Sequence, residues 1–288
     1  MILLLFSATV SFAQLAKVQQ AYECLQQGKL DSAKIHIEEG IKDKEAAEDF
    51  QSWYIRGFIY KEIYKQREAN EVKSSSREIA VESLKKSLKL GKDKDKEQLP
   101  SIMKNLKFLG SKYYNDAIKT MDSVNYKTSI WCFDNYITIY KAFETGFDEK
   151  SKSVDYNLAL SHYFQETFEQ NASKTALELT KQFLGKALEI NPASSIANKN
   201  MAILYYNMGV NIIKKMDYDV DLEHLYTLQD EASKLFKQAE PFMSKAYQLS
   251  PKDKTIVEGL QGIYYQLNDT EKSNEYKKKL EELNTQKN

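Results

Sequence analysis

The sequence is poor in the residues that interrupt helices, with only 10 glycines and 4 prolines among 288 residues. Glycine and proline are the least favourable residues in helix interiors. A chain with so few of them, and with many Lys, Glu, Leu and Ala residues, is predicted to be mostly helical. At this length the chain can bury a substantial core and form one or two domains.

The sequence also lacks an excess of charge of either sign. Lysine and arginine number 41, aspartate and glutamate number 41, and the formal net charge is zero. A neutral chain has no bulk electrostatic attraction for nucleic acid or for an anionic membrane. We therefore expect nucleic acid not to be its partner, although a local charged patch remains compatible with this composition.

Motifs that carry chemistry are missing as well. The sequence has no glycine-rich phosphate loop, no G-x-S-x-G, no H-E-x-x-H and no Cys/His pair at metal-ligand spacing. His36, His162 and His224 are scattered, so we interpret them as structural or surface residues. We expect no catalytic, cofactor or metal site. An enzyme would need a constellation that is assembled only in three dimensions.

The first residues, "MILLLFSATVSFAQ", are apolar or small as far as Phe12. Ser11-Phe12-Ala13 before Gln14 has the small-x-small pattern of a signal-peptide cleavage site, and the run is shorter than the roughly 20 residues that span a bilayer. We predict a signal peptide at residues 1–13 and an exported protein, periplasmic or secreted, without stable membrane insertion after cleavage. A signal peptide normally has a Lys or Arg before its apolar run, and none is present here. This absence is an argument for the alternative interpretation, in which the run is a buried first helix.

Six segments share a spacing pattern in which a small residue lies three positions before a mostly aromatic one. A small residue lets a neighbouring helix approach closely, and the ring fills the space beside it. Gln261 is the one position of this set that is not small. The segments are Lys17-x-x-Gln20-Ala21-x-x-Cys24, Trp53-x-x-Arg56-Gly57-x-x-Tyr60, Leu106-x-x-Leu109-Gly110-x-x-Tyr113, Asp155-x-x-Leu158-Ala159-x-x-His162, Asn198-x-x-Met201-Ala202-x-x-Tyr205 and Val257-x-x-Leu260-Gln261-x-x-Tyr264.

A second pattern follows each copy of the first one. A degraded sixth copy spans Ser273 to Leu280, and Pro192 and Pro251 fall where the fourth and fifth copies should end. The five clear copies are Ala33-x3-Ile37-x2-Gly40, Ala80-x3-Leu84-x2-Ser87, Ser129-x3-Phe133-x2-Tyr136, Thr180-x3-Leu184-x2-Ala187 and Ala239-x3-Met243-x2-Ala246.

Together the two patterns resemble the tetratricopeptide repeat, with W-x2-L-G-x2-Y, then A-x3-F, then a closing proline. The resemblance implies an all-α fold, a right-handed α-solenoid of about six antiparallel helix pairs with a concave inner face. Each amphipathic pair must stack on its neighbours to bury its apolar face. We predict one solenoid domain at residues 14–288, with approximate repeats one to six at 14–47, 50–91, 101–145, 152–192, 195–251 and 254–283.

The copies are longer than the usual repeat of about 34 residues, since the small residues lie between 36 (Ala21 to Gly57) and 59 (Ala202 to Gln261) positions apart. We expect elongated inner hairpins, and a solvated linker at "GKDKDKEQ", residues 91–98. In repeat five the first helix should run past Gly209 to about Lys215, because Met208, Ile212 and Met216 are spaced by four. The chain should turn near Asp217–Asp221 and return as a helix through Leu222, Leu225 and Leu228.

Cys24 and Cys132 lie 108 residues apart. Export would allow them to oxidise, but distant segments of a stacked array do not meet. We therefore favour two buried thiols over a disulfide.

The resemblance also implies where a partner binds, because the inner face of such an array comes mainly from first helices. Tyrosines and lysines recur there, directly after the aromatic position or about one turn before it. They could grip an extended peptide or a glycan, or they could pack on the adjacent helix; both interpretations remain open. The candidate residues are Tyr54, Lys61, Lys107, Tyr114, Tyr156, Tyr163, Lys199, Tyr206 and Tyr265.

The predicted function is a non-catalytic scaffold that binds a protein or peptide in the bacterial cell envelope. The alternative is a glycan- or nutrient-binding accessory protein of an uptake system. Repeat five, as the tallest hairpin, has two interpretations that remain open: a second contact surface for self-association, or a repeat that has lengthened without functional consequence.

Overall fold

The computed structural model describes residues 5–91, 97–216 and 221–285, with side chains from Ala16 onward. Over these ranges the chain is all-α, with helices in neighbouring pairs and no β-strand. The prediction of an all-α fold built from pairs of helices is thereby confirmed. The chain divides into two compact units, an N-terminal half (Met1–Glu149) and a C-terminal half (Lys150–Asn288).

The N-terminal half contains repeats one to three. Within it α1 packs on α2, α4 on α5 and α6 on α7, and α4 continues into one π-helical turn at Tyr64–Glu68. Its helices are α1 (Leu5–Gln26), α2 (Leu30–Gly40), α3 (Lys44–Glu48), α4 (Phe50–Ile63), α5 (Ser75–Gly91), α6 (Leu99–Lys119) and α7 (Tyr126–Phe143).

The C-terminal half contains repeats four to six. Within it α10 packs on α11 and α12 on α13, while Phe164 of α8 stacks on Phe183 of α9 with ring centroids 5.8 Å apart. Its helices are α8 (Glu149–Asn171), α9 (Lys174–Ile190), α10 (Ser195–Lys214), α11 (Leu222–Leu249), α12 (Lys254–Gln266) and α13 (Thr270–Thr285).

Several helices begin where a short polar side chain replaces a missing backbone partner. The side chains of Asp49, Ser173, Ser194, Asp221 and Asp253 accept N–H groups from the first turns of α4, α9, α10, α11 and α12. Such caps stabilise a helix start by about 1 kcal/mol each. The predicted stops are also present, since α9 and α11 end just before Asn191-Pro192 and Ser250-Pro251.

The small residues of the two patterns lie at the contacts between paired helices. A Cβ atom at Gly57 of α4 would lie 2.6 Å from Cγ of Leu84 on α5, and one at Gly110 of α6 would lie 2.8 Å from the Tyr140 ring of α7. Every member of the five clear second-pattern copies is buried. The two patterns therefore mark the surfaces along which the helices of a pair touch.

The extra residues of repeat two are held by a buried arginine that the sequence patterns did not single out. Arg77 is fully buried, its guanidinium carbon lies 3.8 Å from the ring centroid of Tyr113, and its Nη1 lies 2.5 Å from Asp116 Oδ2. It also donates to the carbonyl of Val72. Because Tyr113 and Asp116 belong to α6, this residue ties the α4–α5 turn to the next repeat, and burial is tolerated because the charge is paired.

The elongated hairpins are confirmed. Helix α6 has 21 residues, α8 has 23, α10 has 20 and α11 has 28, against 11 in α2 and 13 in α12. As predicted, α10 runs through Gly209 and ends at Lys214, and α11 begins at Leu222. Of the predicted turn, residues 217–220 lie outside the described residues.

Other expectations concern residues that the structure describes in part or not at all. The predicted signal peptide comprises residues 1–13. Residues 1–4 of it lie outside the described ranges, the rest belongs to the start of α1, and cleavage stays a prediction. Residues 92–96 of the predicted linker also lie outside them. In the part of the chain that is described, no helix is long and apolar enough to cross a membrane. The single-domain arrangement and its superhelical course stay predictions.

Both cysteines are free thiols, as expected, but only one of them is buried. Cys132 is fully buried, and this burial raises the pKa of its thiol to about 11. Cys24 is half-buried, which corrects the expectation of two buried thiols: its position at the end of α1 leaves one side open to solvent.

Gly209→Ala should destabilise the protein, although alanine is the better helix former by about 1 kcal/mol. A Cβ atom at Gly209 would lie 2.7 Å from the ring of Phe236, which is 1% exposed and cannot swing away. Overpacking of this kind costs about 1–3 kcal/mol, so urea unfolding should show a net loss.

The matched control is Gly185→Ala in α9, where an added Cβ would meet nothing within 4 Å. This substitution should raise the free energy of unfolding by up to about 1 kcal/mol. Equal stabilisation by both alanines would contradict the close contact between α10 and α11.

Candidate binding surface on the first helices

The candidate residues lie on the first helices of the repeats, and in the N-terminal half two of them join α4 to α6. The Tyr54 hydroxyl lies 2.8 Å from Oγ of Ser101. Lys61 Nζ donates to Oδ1 of Asn105 at 2.8 Å and lies 3.6 Å from the Phe58 ring centroid. Each contact connects the first helix of repeat two to that of repeat three.

Lys61 is a correction to the predicted ligand-facing set, because it is only 7% exposed. Burial lowers the pKa of its ammonium group, while the neighbouring Glu62 carboxylate, 3.0 Å away, opposes that shift. The ammonium is already held by Glu62, Asn105 and the face of Phe58. Its role in this conformation is therefore to join two repeats.

The same arrangement occurs in the C-terminal half between α10 and α12. Lys199 Nζ lies 2.9 Å from Oδ2 of Asp253, the residue that caps α12. The Tyr206 hydroxyl lies 2.9 Å from the place that a Cβ atom would occupy at Gly262, and its ring centroid lies 5.6 Å from that of Phe236. Lys199 and Tyr206 thus pack against the next first helix.

Other candidates remain open to solvent. Tyr265 of α12 is 71% exposed and Tyr114 of α6 is 40% exposed, with its ring centroid 5.0 Å from that of Tyr136. Lys107 is exposed and Tyr163 is half-buried. Tyr54, Lys199 and Tyr206 are half-buried like Tyr163, so part of each of these side chains is also accessible. The role of all these residues in binding stays a prediction.

The register predicted for repeat four is wrong by two residues. Ala159 and His162 are exposed, whereas Ser161 is 2% exposed and Phe164 is 1% exposed. The buried small and aromatic positions are therefore Ser161 and Phe164. The segment Asn157-x-x-Leu160-Ser161-x-x-Phe164 also matches the first pattern. This match is the feature of the sequence from which the correct register could have been recognised.

The register change removes one candidate and adds another. Tyr156 is 6% exposed, so its ring is not available to a ligand in this conformation. The residue that follows the buried aromatic of repeat four is Gln165 rather than Tyr163. Gln165 therefore takes the place on α8 that Tyr206 takes on α10.

Gln165 lines a cleft of about 280 Å³ between α8 and α10, which we call the amide cleft. Its floor contains Leu204, 2% exposed, with Met208 half-buried beside it. Exposed Asn207 and Asn211 lie on its α10 side. The remaining lining residues are Phe168, Glu169, Val210 and Lys214.

The side chains of the amide cleft are suited to hydrogen bonding with a ligand. An asparagine side chain offers two donors and one acceptor oxygen, which match the C=O and N–H groups of a peptide backbone. Glu169 accepts a hydrogen bond from Gln165 Nε2 at 3.0 Å. Among the described residues, no three His, Cys, Asp or Glu side chains come together as a metal site.

Comparison with solved structures connects this geometry to a known repeat. The TPR repeats protein BF2334 from Bacteroides fragilis is 15% identical with a TM-score of 0.50, and the match covers 88% of this chain and 98% of that chain. The chain has the tetratricopeptide-repeat fold. Neither the family models nor the curated proteins give a match.

Two further solved structures match this chain with TM-scores below 0.5. PilF from Pseudomonas aeruginosa is 12% identical with a TM-score of 0.33, covering 94% of this chain and 91% of that one. The TPR2AB domain of yeast Sti1, in a complex with pHSP90, is 14% identical with a TM-score of 0.25, covering 94% and 98%. The fold assignment rests on the Bacteroides protein.

Ser161→Leu tests the corrected register of the fourth tetratricopeptide repeat. Ser161 is 2% exposed and donates to the Leu158 carbonyl at 2.7 Å. A larger side chain there should lower the free energy of unfolding by about 1–3 kcal/mol. The control Ala159→Leu adds a similar volume at an exposed position and should change stability by no more than about 0.5 kcal/mol. If Ala159→Leu lowers the free energy of urea unfolding more than Ser161→Leu does, the register first predicted from the sequence is the correct one.

Proposed function

We propose that the protein is a non-catalytic scaffold that binds an extended peptide segment of a partner protein on its first helices. The amide cleft between α8 and α10 is the observation that carries this proposal. It combines an apolar floor with exposed side-chain amides, the two features by which a groove recognises apolar side chains and backbone groups together. Stacked helical repeats use extended surfaces of this kind for binding.

The accessible tyrosines add to this proposal. A tyrosine offers a rigid apolar ring and a hydroxyl at low entropic cost, which is why tyrosine is enriched where proteins bind each other. Tyr265 presents most of its ring to solvent. Tyr54, Lys61, Lys199 and Tyr206 support the surface indirectly by joining successive first helices.

Peptide selection tests the amide cleft without knowledge of the natural partner. A displayed library of random peptides is selected on the intact protein, and the affinities of the selected peptides are measured for Asn207→Ala/Asn211→Ala. Both asparagines are exposed, so the fold should be retained. Loss of their hydrogen bonds should weaken binding at least about tenfold.

The matched control is Asn70→Ala/Asn274→Ala, which removes two exposed asparagines that do not line the amide cleft. This control should bind the selected peptides as the unmodified protein does. If no peptides are enriched, or if both double variants weaken binding equally, the amide cleft is not the peptide site.

A glycan- or nutrient-binding role in an uptake system remains the second hypothesis. Exposed aromatic rings such as Tyr265 and Tyr114 provide platforms on which sugar rings stack. A glycan array probed with the intact protein separates the two functions. A glycan-binding protein should give a signal that Tyr265→Ala abolishes, whereas a peptide scaffold should give no such signal.

We also propose that the protein acts in the bacterial cell envelope after export. The support is the apolar run Met1–Phe12, which ends at a small-x-small site. Intact-mass analysis of the protein from the periplasm or medium of an expressing bacterium should give a chain that begins at or near Gln14. Recovery of the uncleaved chain from the cytosol alone would contradict export.

A further inference from the structure

Helix α6 has one strongly basic face. Four of its lysines fall within an arc of about 140° at 100° per residue, and all four are exposed. The opposite side of the helix is apolar and buried, with Leu106, Leu109 and Tyr113 among its residues. The four residues, which we call the lysine face, are Lys104, Lys107, Lys112 and Lys119.

The charge of the lysine face is not neutralised by neighbouring side chains. Among the described residues, none of its ammonium groups lies within ion-pair distance of a carboxylate. The one carboxylate of α6, Asp116, is paired with Arg77. By contrast, Lys61 of α4 and Lys199 of α10 each lie next to a carboxylate. The lysine face is therefore a surface of unpaired positive charge.

The positive charge extends to the contact between α6 and α4. Burial lowers the pKa of the Lys61 ammonium group, and repulsion from Lys65 and Lys104 lowers it further, while Glu62 opposes the shift. Lys104 is thus close enough to act on the contact between the two helices. Unpaired charges of one sign on one surface attract a partner of the opposite sign and speed its association.

The neutrality of the whole chain favours a short anion over a long one. Basic and acidic residues number 41 each, so the chain outside the lysine face carries an excess of four acidic residues. A nucleic acid long enough to bind strongly would also meet this acidic remainder, whereas a short segment would contact the lysine face alone. Helix α6 also lacks arginine, the residue that holds a phosphate group by two parallel hydrogen bonds.

The aromatic ring within the lysine face is not free for base stacking. Phe108 lies in the same arc and is half-buried, and Lys112 Nζ lies 5.6 Å from its ring centroid. An ammonium group over the ring occupies the position that a nucleobase would take in a single-strand binding site. The anion that fits this surface therefore carries its charge on a polypeptide.

The length of the lysine face sets the length of its ligand. Lys104 and Lys119 lie 15 positions apart, which corresponds to about 22 Å along a helix. An extended peptide spans that distance with about seven residues. We propose that the lysine face binds an acidic segment of a partner protein, about seven residues long, through the side-chain carboxylates of that segment.

This proposal deepens the peptide-binding function, because it names the chemistry of a segment that a first helix binds. Its surface differs from the amide cleft, however, since the lysine face belongs to α6 and the amide cleft is lined by α8 and α10. Variants of the two surfaces therefore distinguish the failure of one proposal from the failure of the other.

Fluorescence anisotropy of the full chain tests the lysine face with a labelled seven-residue peptide of alternating glutamate and serine. The peptide is amidated at its C-terminus, so that only side-chain carboxylates can be recognised. Its affinity should fall at least about tenfold between about 20 and 200 mM salt, because exposed ion pairs are screened. A peptide with glutamine in place of glutamate should bind at least about tenfold more weakly. No binding of the glutamate peptide at low salt, or equal affinity for both peptides, overturns the proposal.

Lys104→Gln/Lys107→Gln/Lys112→Gln should weaken binding of the glutamate peptide at least about tenfold. All three lysines are exposed and have no ion-pair partner among the described residues, so circular dichroism and the unfolding midpoint should hardly change. An unchanged affinity in the folded variant overturns the proposal.

The matched control is Lys127→Gln/Lys245→Gln/Lys252→Gln, which removes three other exposed lysines and changes the net charge equally. This control should bind the glutamate peptide normally, and equal weakening in both triple variants would overturn a specific site. Asn207→Ala/Asn211→Ala should also bind it normally. Loss of binding in that variant would place the peptide in the amide cleft and overturn a separate site on α6.

A charge reversal supplies a gain-of-function arm. Lys104→Glu/Lys107→Glu/Lys112→Glu should lose the glutamate peptide and should bind a peptide of alternating lysine and serine, which the unmodified protein does not bind. Failure to gain that binding, with the variant folded, overturns recognition by charge at this face. A labelled single-stranded oligonucleotide of similar charge is the competing ligand. If it binds more tightly than the glutamate peptide and the glutamine variant loses it, the face binds nucleic acid and the proposal is wrong.

Discussion

The structure depends on the close approach of two helices at each small residue of the repeat. At Gly57 and Gly110 an added Cβ atom would fall 2.6 and 2.8 Å from side chains of the paired helix, which is closer than carbon atoms pack. Ser161 and Ala202 occupy the corresponding places in the C-terminal half and are buried. Interiors are packed to crystal-like density and adjust little, so these positions fix the spacing and rotation of the helices in each pair. The aromatic and aliphatic side chains of the partner helix then have a defined space to fill.

This constraint also decides which side chains remain for binding. Once the pairs are fixed, α4 presents one face to α6 and α10 presents one face to α12, and Lys61, Lys199 and Tyr206 are used for contacts there. Side chains that no neighbour covers remain accessible, as Tyr265 does. Extra helical turns have a similar effect. Because α10 and α11 are longer than α12 and α13, a cleft of about 560 Å³ lies between them and the turn Gln266–Asn268, and the length of α10 beside α8 creates the amide cleft.

The pairing of helices and their lengths were predictable because they follow from periodicity. The apolar spacing by four through Met208, Ile212 and Met216 correctly predicted that the helix continues past Gly209, although glycine often ends a helix. The physical reason is that the buried ring of Phe236 packs against Gly209, where a Cβ atom would not fit. The register of repeat four was not fixed by the pattern, because Ala159 and Ser161 are both small and point to opposite sides of a helix with about 100° per residue. Neither the burial of Lys61 nor the link from Arg77 to Asp116 was predictable, since both depend on contacts between repeats.

Amide hydrogen exchange along α10 measures the central claim most directly. If close packing on α11 holds α10 together beyond the glycine, the amides of residues 207–214 should exchange nearly as slowly as those of residues 198–205. The exchange rate of an amide reports the free energy of the local opening that exposes it. If α10 is held by packing on α11, its amides become exposed only when the two helices separate. Exchange at random-coil rates after Gly209, with slow exchange before it, would contradict the account, because the glycine would then end the helix and the contact with Phe236 would not form.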